Sequence, residues 1–425
     1  MIQIVKPVNF LKGEILLPSS KSYSIRAFMV AACGGNSSII HPSDCDDALV
    51  AMNTARALGA QIKIVGKNIF QIKASNTFGG DNLNINVKES GTVLRFLLPL
   101  ISLDDKSAVV TGEGTLCKRP NRHLMEVLRK MGVVIQGSGQ QEMVPIHKKT
   151  GHLHGGDIEI DGSLSSQFIS ALLIACPRLP RDTRIKVLGK KLVSQTYITM
   201  TRQVLARSKV IVEQKSSRMF FIKGNQECSG LKNFKVPADY GLAAFFLAAG
   251  ALIPSKIVLR GYFPKDLIQA DAQILKFLKQ MGVKLDQPKD AIKVSGPFAL
   301  KAGNFFLKNC PDLVPIMAVL GLFAKGPTRL YGIGHARAKE SDRIGDLKHE
   351  LLKIGANLTD TSDTLVIHPR EQYRNNCLLD PHHDHRLAMA FSILGLKVGV
   401  RVKDIECTRK SYPGFVKDFK NMIAR

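Results

Sequence analysis

The stretch NTARALGAQIKIV at residues 53–65 has the pattern of an amphipathic helix end, a turn at Gly59 and a β-strand. The same order of features recurs in EVLRKMGVVIQ at residues 126–136, QVLARSKVIVE at 203–213, ILKFLKQMGVKLD at 274–286 and HELLKIGANLT at 349–359. Successive turn residues lie 73 to 76 positions apart, with Ser208 in place of glycine in the third copy. A fixed period of this kind indicates a repeat architecture.

A second series of positions marks the same repeat. Short polar clusters precede apolar helical runs at residues 19–22, 89–92, 163–167, 238–241, 310–313 and 382–386. Their marker residues, Ser22, Ser90, Ser165, Asp239, Asp312 and Asp384, are 68 to 75 positions apart. The two series agree on six units. The last helix, FVKDFKNMIAR at 415–425, lacks following strands, and we expect the strand-like N-terminus to supply them.

The first helix of each unit is predicted to be buried. AAFFLAAGALI at 243–253 and VPIMAVLGLFA at 314–324 are apolar almost throughout, so other elements must surround them. We therefore predict an α/β fold with helices inside and strands outside. Six units divide into two lobes, one of residues 1–20 and 239–425 and one of residues 21–238, with the active site in the cleft between them.

The chain is strongly basic, with a formal charge of +25, but its cations are dispersed. No run of Lys and Arg exceeds two residues, and aromatic residues make up 6% with no Trp, which argues against a nucleic-acid partner. The longest apolar run, Leu242 to Ile253, is shorter than the ~20 residues of a membrane span. Lys6, Lys12 and Glu14 interrupt the N-terminus where a secretory signal would be apolar. Eight cysteines without a CxxC pair suit reduced thiols, so we expect a cytoplasmic protein.

The helix starts are candidate anion sites, because a helix N-terminus exposes unpaired N–H groups. Helix capping alone would also explain their Ser and Asp residues. Cations favour the first interpretation: Lys21 and Arg26 flank the first start, Arg95 follows the second by one turn, and Arg386 lies in the sixth. No phosphate-binding GxxxxGK[ST] or GxGxxG motif is present, so a nucleotide is not indicated.

Two further clusters carry charge, LCKRPNRHL around Arg119 and HARAKESDRI at 335–344. The second is either a solvated turn or a Glu surrounded by substrate-binding cations. HHDHR at 382–386 could suggest a metal, but no second cluster offers matching ligands, so we predict no metal.

Eight segments, in order along the whole chain, resemble the EPSP synthase (3-phosphoshikimate 1-carboxyvinyltransferase) family. They are LPSSKSYSIRAFMVAA (17–32), SGTVLRFL (90–97), KRPNRHLMEVLRKMG (118–132), DGSLSSQFISALLIA (161–175), ADYGLAAFFLAAGAL (238–252), PDLVPIMAVLGLFAKGPTRLYGIGHARAKESDRI (311–344), DHRLAMAFSILGL (384–396) and CTRKSYPGF (407–415). The resemblance implies a two-lobed, inside-out α/β barrel of six βαβαββ repeats, the enolpyruvyl transferase fold. It also implies transfer of the enolpyruvyl group of phosphoenolpyruvate to the 5-hydroxyl of shikimate 3-phosphate, with release of phosphate.

The resemblance also assigns site residues, position by position. Those implied to bind shikimate 3-phosphate are Lys21, Ser22, Arg26, Ser165, Ser166, Gln167, Ser194, Tyr197, Asp312, His335 and Lys339. Those implied to bind phosphoenolpyruvate are Lys21, Gly91, Arg119, Gln167, Arg343, Arg386 and Lys410. Asp312 and Glu340 are the expected proton-transfer groups, and Lys21 could share that role. We expect a monomer that uses neither metal nor organic cofactor.

Five positions depart from the family pattern: Ser19, Ile25, Glu89, Ser90 and His335. Glu89 would repel an anionic substrate unless it pairs with a cation such as Arg119. Two alternatives stay open: UDP-N-acetylglucosamine enolpyruvyl transferase, and a non-catalytic anion-binding relative. The first uses a loop Cys five residues before an Arg–Pro pair, whereas Cys117 is two residues before Arg119 and is interpreted as incidental.

Overall fold

The computed structural model describes residues 1–75 and 78–423, which divide into two compact units. The terminal unit comprises the described residues of Met1–Pro18, Asp44–Asp46 and Pro237–Arg425. The middle unit comprises those of Ser19–Ser43 and Asp47–Val236.

The helices and strands of the described residues follow in chain order. The α-helices are α1 (Lys21–Ala31), α2 (Asp46–Ala57), α3 (Gly91–Leu100), α4 (Arg122–Lys130), α5 (Ser166–Ala175), α6 (Gln195–Arg207), α7 (Tyr240–Leu252), α8 (Gln273–Gln280), α9 (Val314–Leu322), α10 (Gly345–Lys353), α11 (His385–Val398) and α12 (Phe415–Ile423). The strands are β1 (Gln3–Val5), β2 (Leu11–Leu16), β3 (Asn36–Ile40), β4 (Gln61–Val65), β5 (Ile69–Lys73), β6 (Leu83–Asn86), β7 (Ala108–Thr111), β8 (Val134–Ser138), β9 (Met143–Thr150), β10 (Gly156–Asp161), β11 (Thr183–Leu188), β12 (Glu213–Ser216), β13 (Met219–Ile222), β14 (Phe234–Lys235), β15 (Ser255–Arg260), β16 (Leu285–Asp286), β17 (Ala291–Val294), β18 (Asn304–Phe306), β19 (Thr328–Tyr331), β20 (Asn357–Asp360), β21 (Thr364–His368), β22 (Cys377–Leu379) and β23 (Val400–Val402).

The middle unit contains three four-stranded sheets built on one plan. In β6-α3-β7-α4-β8-β9 the sheet order is β6-β7-β9-β8, with the first pair of strands parallel and the others antiparallel. The segment β10-α5-β11-α6-β12-β13 repeats this order. In the first copy β14 pairs parallel with β3, so a strand from the end of the unit completes the sheet begun near its start.

The terminal unit repeats the plan, with two strands supplied by the N-terminus. Strand β2 pairs parallel with β15, and β18-α9-β19-α10-β20-β21 forms a complete copy. The sixth sheet has three strands in the order β1-β23-β22, with Gln3 opposite Val402. The predicted α/β fold of six repeats is therefore confirmed. The N-terminus supplies one strand, β1, to the last copy, whose sheet has three strands where the other five sheets have four.

The first helix of each repeat lies in the core, as its composition predicts. All residues of α7 from Gly241 to Leu252 are buried. Helices α7, α9 and α11 pack together in the terminal unit, and α1, α3, α5 and α6 pack as neighbours in the middle unit. Burying apolar helices in this way removes their full circumference from water, which is the main source of folding free energy. Within each unit, the same packing brings the N-termini of these helices near one another.

One turn position differs from the sequence prediction. Gly59, Gly132, Gly282 and Gly355 follow their helices with φ between +80° and +102°, the left-handed conformation that glycine adopts without strain. In the third copy the residue in this conformation is Lys209, at φ +65°, whereas Ser208 has φ −96°. Identifying Ser208 as the turn residue was wrong by one position.

Candidate functional site

Most predicted helix starts lie at helix N-termini in the structure. Ser165 Oγ accepts a hydrogen bond from Gln167 N at 3.2 Å, Asp239 Oδ1 from Leu242 N at 3.1 Å, and Asp384 Oδ1 from Arg386 N at 2.8 Å. These three residues cap α5, α7 and α11. Ser22 instead lies within the first turn of α1, and Asp312 lies in the short 3-10 helix Pro311–Leu313 before α9.

In the middle unit, Arg26 of α1 is anchored by three hydrogen bonds. Its Nε donates to Thr201 Oγ1 at 2.9 Å, Nη1 to Ser22 O at 2.8 Å and Nη2 to Tyr197 O at 3.1 Å. The guanidinium also lies over the rings of Phe96 and Tyr197. Burial lowers the pKa of Arg26 to about 10, with Tyr197 opposing the shift, so the group is a fixed cation at neutral pH.

Gly91 and Arg119 are brought together at the start of α3. A Cβ added to Gly91 would lie 2.6 Å from Arg119 Nη1 and 2.9 Å from its Cζ. The Arg119 side chain, 5% exposed, therefore occupies the space that any other residue at position 91 would fill.

Gln167 is held against the same helix by Arg95, which the sequence marks as a cation beside the second helix start but which the family resemblance did not assign to a substrate. Arg95 Nη1 donates to Gln167 Oε1, its Nη2 donates to Pro120 O at 3.1 Å, and Gln167 Nε2 donates to Thr92 Oγ1 at 2.8 Å. Arg95 thereby connects α5 to the segment that carries Arg119. Its position one turn after the polar cluster at 89–92 is the signal that marks it in the sequence.

Other predicted site residues of the middle unit lie on the same group of helices. Lys21 Nζ forms an ion pair with Asp47 Oδ2 at 2.9 Å. Ser194, with φ +56°, precedes α6 and is buried, as is Ser166 at the start of α5. Glu89 packs against Gly114 so closely that a side chain at Gly114 would overlap its carboxylate.

The terminal unit carries a second cluster centred on Arg343, which is 1% exposed. Its Nη1 donates to Asp312 Oδ1 at 2.6 Å and its Nε to Asp384 Oδ2 at 2.6 Å. Its Nη2 donates to Glu340 Oε2 at 2.8 Å. Arg343 therefore joins both predicted proton-transfer carboxylates of this unit to the N-cap of α11.

Asp312 is surrounded by cations. Arg386 Nη2 donates to its Oδ2 at 3.3 Å, and Lys339 Nζ lies 3.9 Å from its Oδ1. Burial by itself raises the pKa of Asp312, but Arg343, Arg386 and Lys339 outweigh that effect and hold the pKa well below its usual range. Asp312 is thus a carboxylate at neutral pH.

His335 lies in the 3-10 helix Gly334–Ala338 beside this cluster. Burial, together with the charge on Lys339 and against the opposing charges of Asp363 and Asp312, lowers its pKa to about 3. At neutral pH the imidazole is therefore uncharged and can donate one hydrogen bond without adding a cation.

The remaining residues of the charged segment at 335–344 are structural. Arg337 donates to Asp342 Oδ2 at 2.8 Å and to Asp360 Oδ2 at 2.5 Å, and Asp342 Oδ1 accepts from the backbone N–H groups of Ile344 and Gly345. These contacts fix the start of α10. Arg337 and Asp342 therefore fit the alternative of a charged turn, whereas Glu340 pairs with the buried Arg343. Substrate binding by the cations of this segment stays a prediction.

Lys410 ends the 3-10 helix Ile405–Lys410, which packs on α11, and the residue is 6% exposed. Within residues 1–75 and 78–423, no group of three or more His, Cys, Asp or Glu side chains is placed to hold a metal ion. In the same ranges no helix is long and apolar enough to cross a membrane.

Comparison with known proteins gives a consistent result over the whole chain. Residues 5–419 match the family described as EPSP synthase (3-phosphoshikimate 1-carboxyvinyltransferase). The chain is 37% identical to the 3-phosphoshikimate 1-carboxyvinyltransferase of Methanosarcina mazei, over 98% of this chain and 96% of the relative. It is 35% identical to that of Methanocaldococcus jannaschii, over 99% and 98%.

Solved structures show the same fold. EPSP synthase from Acinetobacter baumannii superimposes with a TM-score of 0.79 at 24% identity, covering 99% of this chain and 98% of the other. The enolpyruvyl transferase NikO from Streptomyces tendae gives 0.78 at 19% identity, with 99% and 97% covered.

Proposed function

The chain belongs to the EPSP synthase family, and from that premise we infer that it transfers the enolpyruvyl group of phosphoenolpyruvate to the 5-hydroxyl of shikimate 3-phosphate. The products are 5-enolpyruvylshikimate 3-phosphate and phosphate, and the reaction belongs to the shikimate pathway. The match over residues 5–419, together with relatives at 35 to 37% identity over nearly the full length, carries this conclusion.

We propose that both substrates are held by the two clusters described above. Each substrate carries a phosphate and a carboxylate, so several fixed cations are needed. Shikimate 3-phosphate is assigned to Lys21, Ser22, Arg26, Ser165, Ser166, Gln167, Ser194, Tyr197, Asp312, His335 and Lys339. Phosphoenolpyruvate is assigned to Lys21, Gly91, Arg119, Gln167, Arg343, Arg386 and Lys410.

Asp312 and Glu340 are the proposed proton-transfer groups. In the reaction the substrate hydroxyl loses its proton and attacks C2 of phosphoenolpyruvate while C3 gains a proton, and the tetrahedral intermediate then loses phosphate from C2 and a proton from C3, which re-forms the double bond. Without substrate, Asp312 is held as a weak base by Arg343 and Arg386. A substrate anion that binds these arginines would neutralise part of their charge and raise the basicity of Asp312.

Glu340, once protonated to the carboxylic acid, is proposed to deliver the proton to the methylene carbon, and Lys21 could share that role. Glu340 Oε2 accepts from Arg343 Nη2, so the same arginine positions both carboxylates. One buried residue thus fixes the geometry of two proton-transfer groups, which favours concerted loss of the hydroxyl proton and gain of the methylene proton.

A phosphate-release assay tests the function. Purified protein is mixed with phosphoenolpyruvate and either shikimate 3-phosphate or UDP-N-acetylglucosamine. We expect release with the first acceptor alone. Release with only the second would identify a UDP-N-acetylglucosamine enolpyruvyl transferase, and no release with either would favour the non-catalytic anion-binding relative. Cys117→Ser is the matched control, because an incidental, exposed Cys117 predicts unchanged activity.

We further propose that the protein acts as a monomer in the cytoplasm without metal or organic cofactor. All eight cysteines are free, which suits a reducing compartment. Light scattering during gel filtration would test the monomer, and full activity after treatment with a chelator would test the independence from metals.

A further inference from the structure

Asp271 lies in the terminal unit beside two proposed substrate-binding groups, although no sequence motif marks it. It belongs to the 3-10 helix Ala270–Ala272, which packs against α7. The residue is 6% exposed, and its Oδ2 lies 4.0 Å from Arg386 Nη2. Its Oδ1 accepts no hydrogen bond from any residue in the described ranges. A buried carboxylate oxygen without a donor is rare and calls for a physical reason.

The first turn of α7 is shaped to admit this pair of side chains. A Cβ added to Gly241 would overlap Asp271 Oδ2 and would lie 2.7 Å from Arg386 Nη1. The absence of a side chain at Gly241 therefore allows the carboxyl and the guanidinium to lie together against the helix.

Charged and titratable groups face Asp271 from each neighbouring element. They are Arg386 on α11, Asp312 and Cys310 before α9, Asp239 at the start of α7, and Lys339. Burial, helped by the charges of Asp312 and Asp239 and opposed by those of Arg386 and Lys339, raises the pKa of Asp271 to about 7. The carboxyl group therefore changes its charge within the neutral pH range.

We propose that Asp271 is a positioning residue that orients Arg386 and whose charge controls how tightly Arg386 binds an anionic substrate. The proposal rests on the function above, in which Arg386 binds phosphoenolpyruvate. When Asp271 is neutral, the charge of Arg386 is available to the substrate. When Asp271 is ionised, it competes for that charge and repels the incoming anion. Binding of phosphoenolpyruvate therefore favours the protonated carboxyl.

The test compares the KM for phosphoenolpyruvate of the wild type and Asp271→Asn between pH 6 and pH 8.5. Asn keeps the shape and is always neutral. We expect the ratio of the wild-type KM to the variant KM to be near one at pH 6. At pH 8, one unit above a pKa of about 7, we expect it to rise to between about fivefold and tenfold. The phosphate of the substrate, with a second pKa near 6, titrates equally in both assays and cancels in the ratio.

Asp286→Asn is the matched control, because Asp286 lies in the same unit but on an exposed strand, 3.4 Å from Lys293. It should follow the wild-type profile. If Asp271→Asn also follows that profile while still releasing phosphate, the inference about Asp271 is wrong and the function stands. If the wild type releases no phosphate, the proposed function itself fails.

A second measurement covers the case in which Asp271→Asn does not fold. Calorimetry of phosphoenolpyruvate binding to the wild type at pH 7.5, in two buffers of different ionisation enthalpy, counts the protons exchanged. With a pKa of about 7, roughly three quarters of Asp271 is ionised at this pH, so we expect uptake of more than about half a proton. Zero uptake would overturn the inference.

Discussion

Replacing Thr201 by Val tests whether the buried polar network around Arg26 stabilises the middle unit. Val keeps the branched shape, so no cavity forms, but the change removes the oxygen that accepts from Arg26 Nε at 2.9 Å. Both residues are buried, at 0% and 1% exposure, so water cannot replace the lost acceptor. A hydrogen bond to a charged group contributes about 1.5–3 kcal/mol, and we expect the free energy of unfolding to fall by that amount.

The assay is urea denaturation followed by circular dichroism, because the chain contains no Trp for fluorescence. Ser170→Ala is the control. Ser170 Oγ lies 2.9 Å from Thr201 Oγ1, so this change removes a neutral partner and leaves the acceptor of Arg26 in place. We expect the smaller loss of a neutral hydrogen bond, about 0.5–1.5 kcal/mol. Equal stability of Thr201→Val and the wild type would refute the idea that this bond anchors Arg26.

Three further changes test the site. Arg119→Ala should weaken apparent binding of phosphoenolpyruvate by about 1.5–3 kcal/mol, and unchanged kinetics would exclude Arg119 from the site. Gly91→Ala should displace Arg119, whose Nη1 lies 2.6 Å from the new Cβ position. It should therefore weaken binding of phosphoenolpyruvate and of glyphosate, the known inhibitor of this enzyme family, alike. Gly80→Ala is its control, because a Cβ at Gly80 meets no atom within 4 Å, and equal glyphosate inhibition of Gly91→Ala and the wild type would contradict the placement of Gly91. His335, whose pKa falls from 6.5 to about 3 on folding, makes the wild type lose stability as the pH falls below about 6.5, by at most about 2 kcal/mol at pH 5. His335→Asn should remove that part of the pH dependence of urea denaturation, and an unchanged dependence would show that His335 is not responsible.

The six-fold repeat could be predicted because it depends on local sequence patterns. Each amphipathic helix, turn and strand pair repeats its own periodicity, so six units follow from spacing alone. Strand β14 could not be predicted in this way, because its two residues are too few to show an alternation of apolar and polar side chains. The strand is defined only by its pairing with β3. Lys209 was missed for a related reason: the left-handed position is set by where α6 ends, and Lys gives no sign of it.

The site was predictable where a motif names the residue and not where packing alone creates the contact. Asp384 and Ser165 cap helices at the positions that their sequences indicate. Asp271 lies in the segment IQADAQ, with no cation nearby in sequence, and its neighbour Arg386 is 115 positions further along the chain. Only the packing of Ala270–Ala272 on α7 reveals that the two side chains meet.

The charges of the terminal-unit cluster show that the net positive charge of the chain is not by itself a reason for an anion to bind there. Three cations, Arg343, Arg386 and Lys339, face four carboxyl groups on Asp312, Glu340, Asp384 and Asp271. These groups by themselves are not an excess of positive charge, so the formal +25 of the chain does not explain why an anion would bind among them. Arg386 offers the explanation, because its Nε and Nη1 donate to no residue in the described part of the chain although the side chain is only 3% exposed. A carboxylate or phosphate bound here would accept hydrogen bonds from these buried donors, which gain more from a charged acceptor than exposed donors do. Affinity for the substrate would then depend on these oriented donors, and on the charge of Asp271 beside them, more than on net charge.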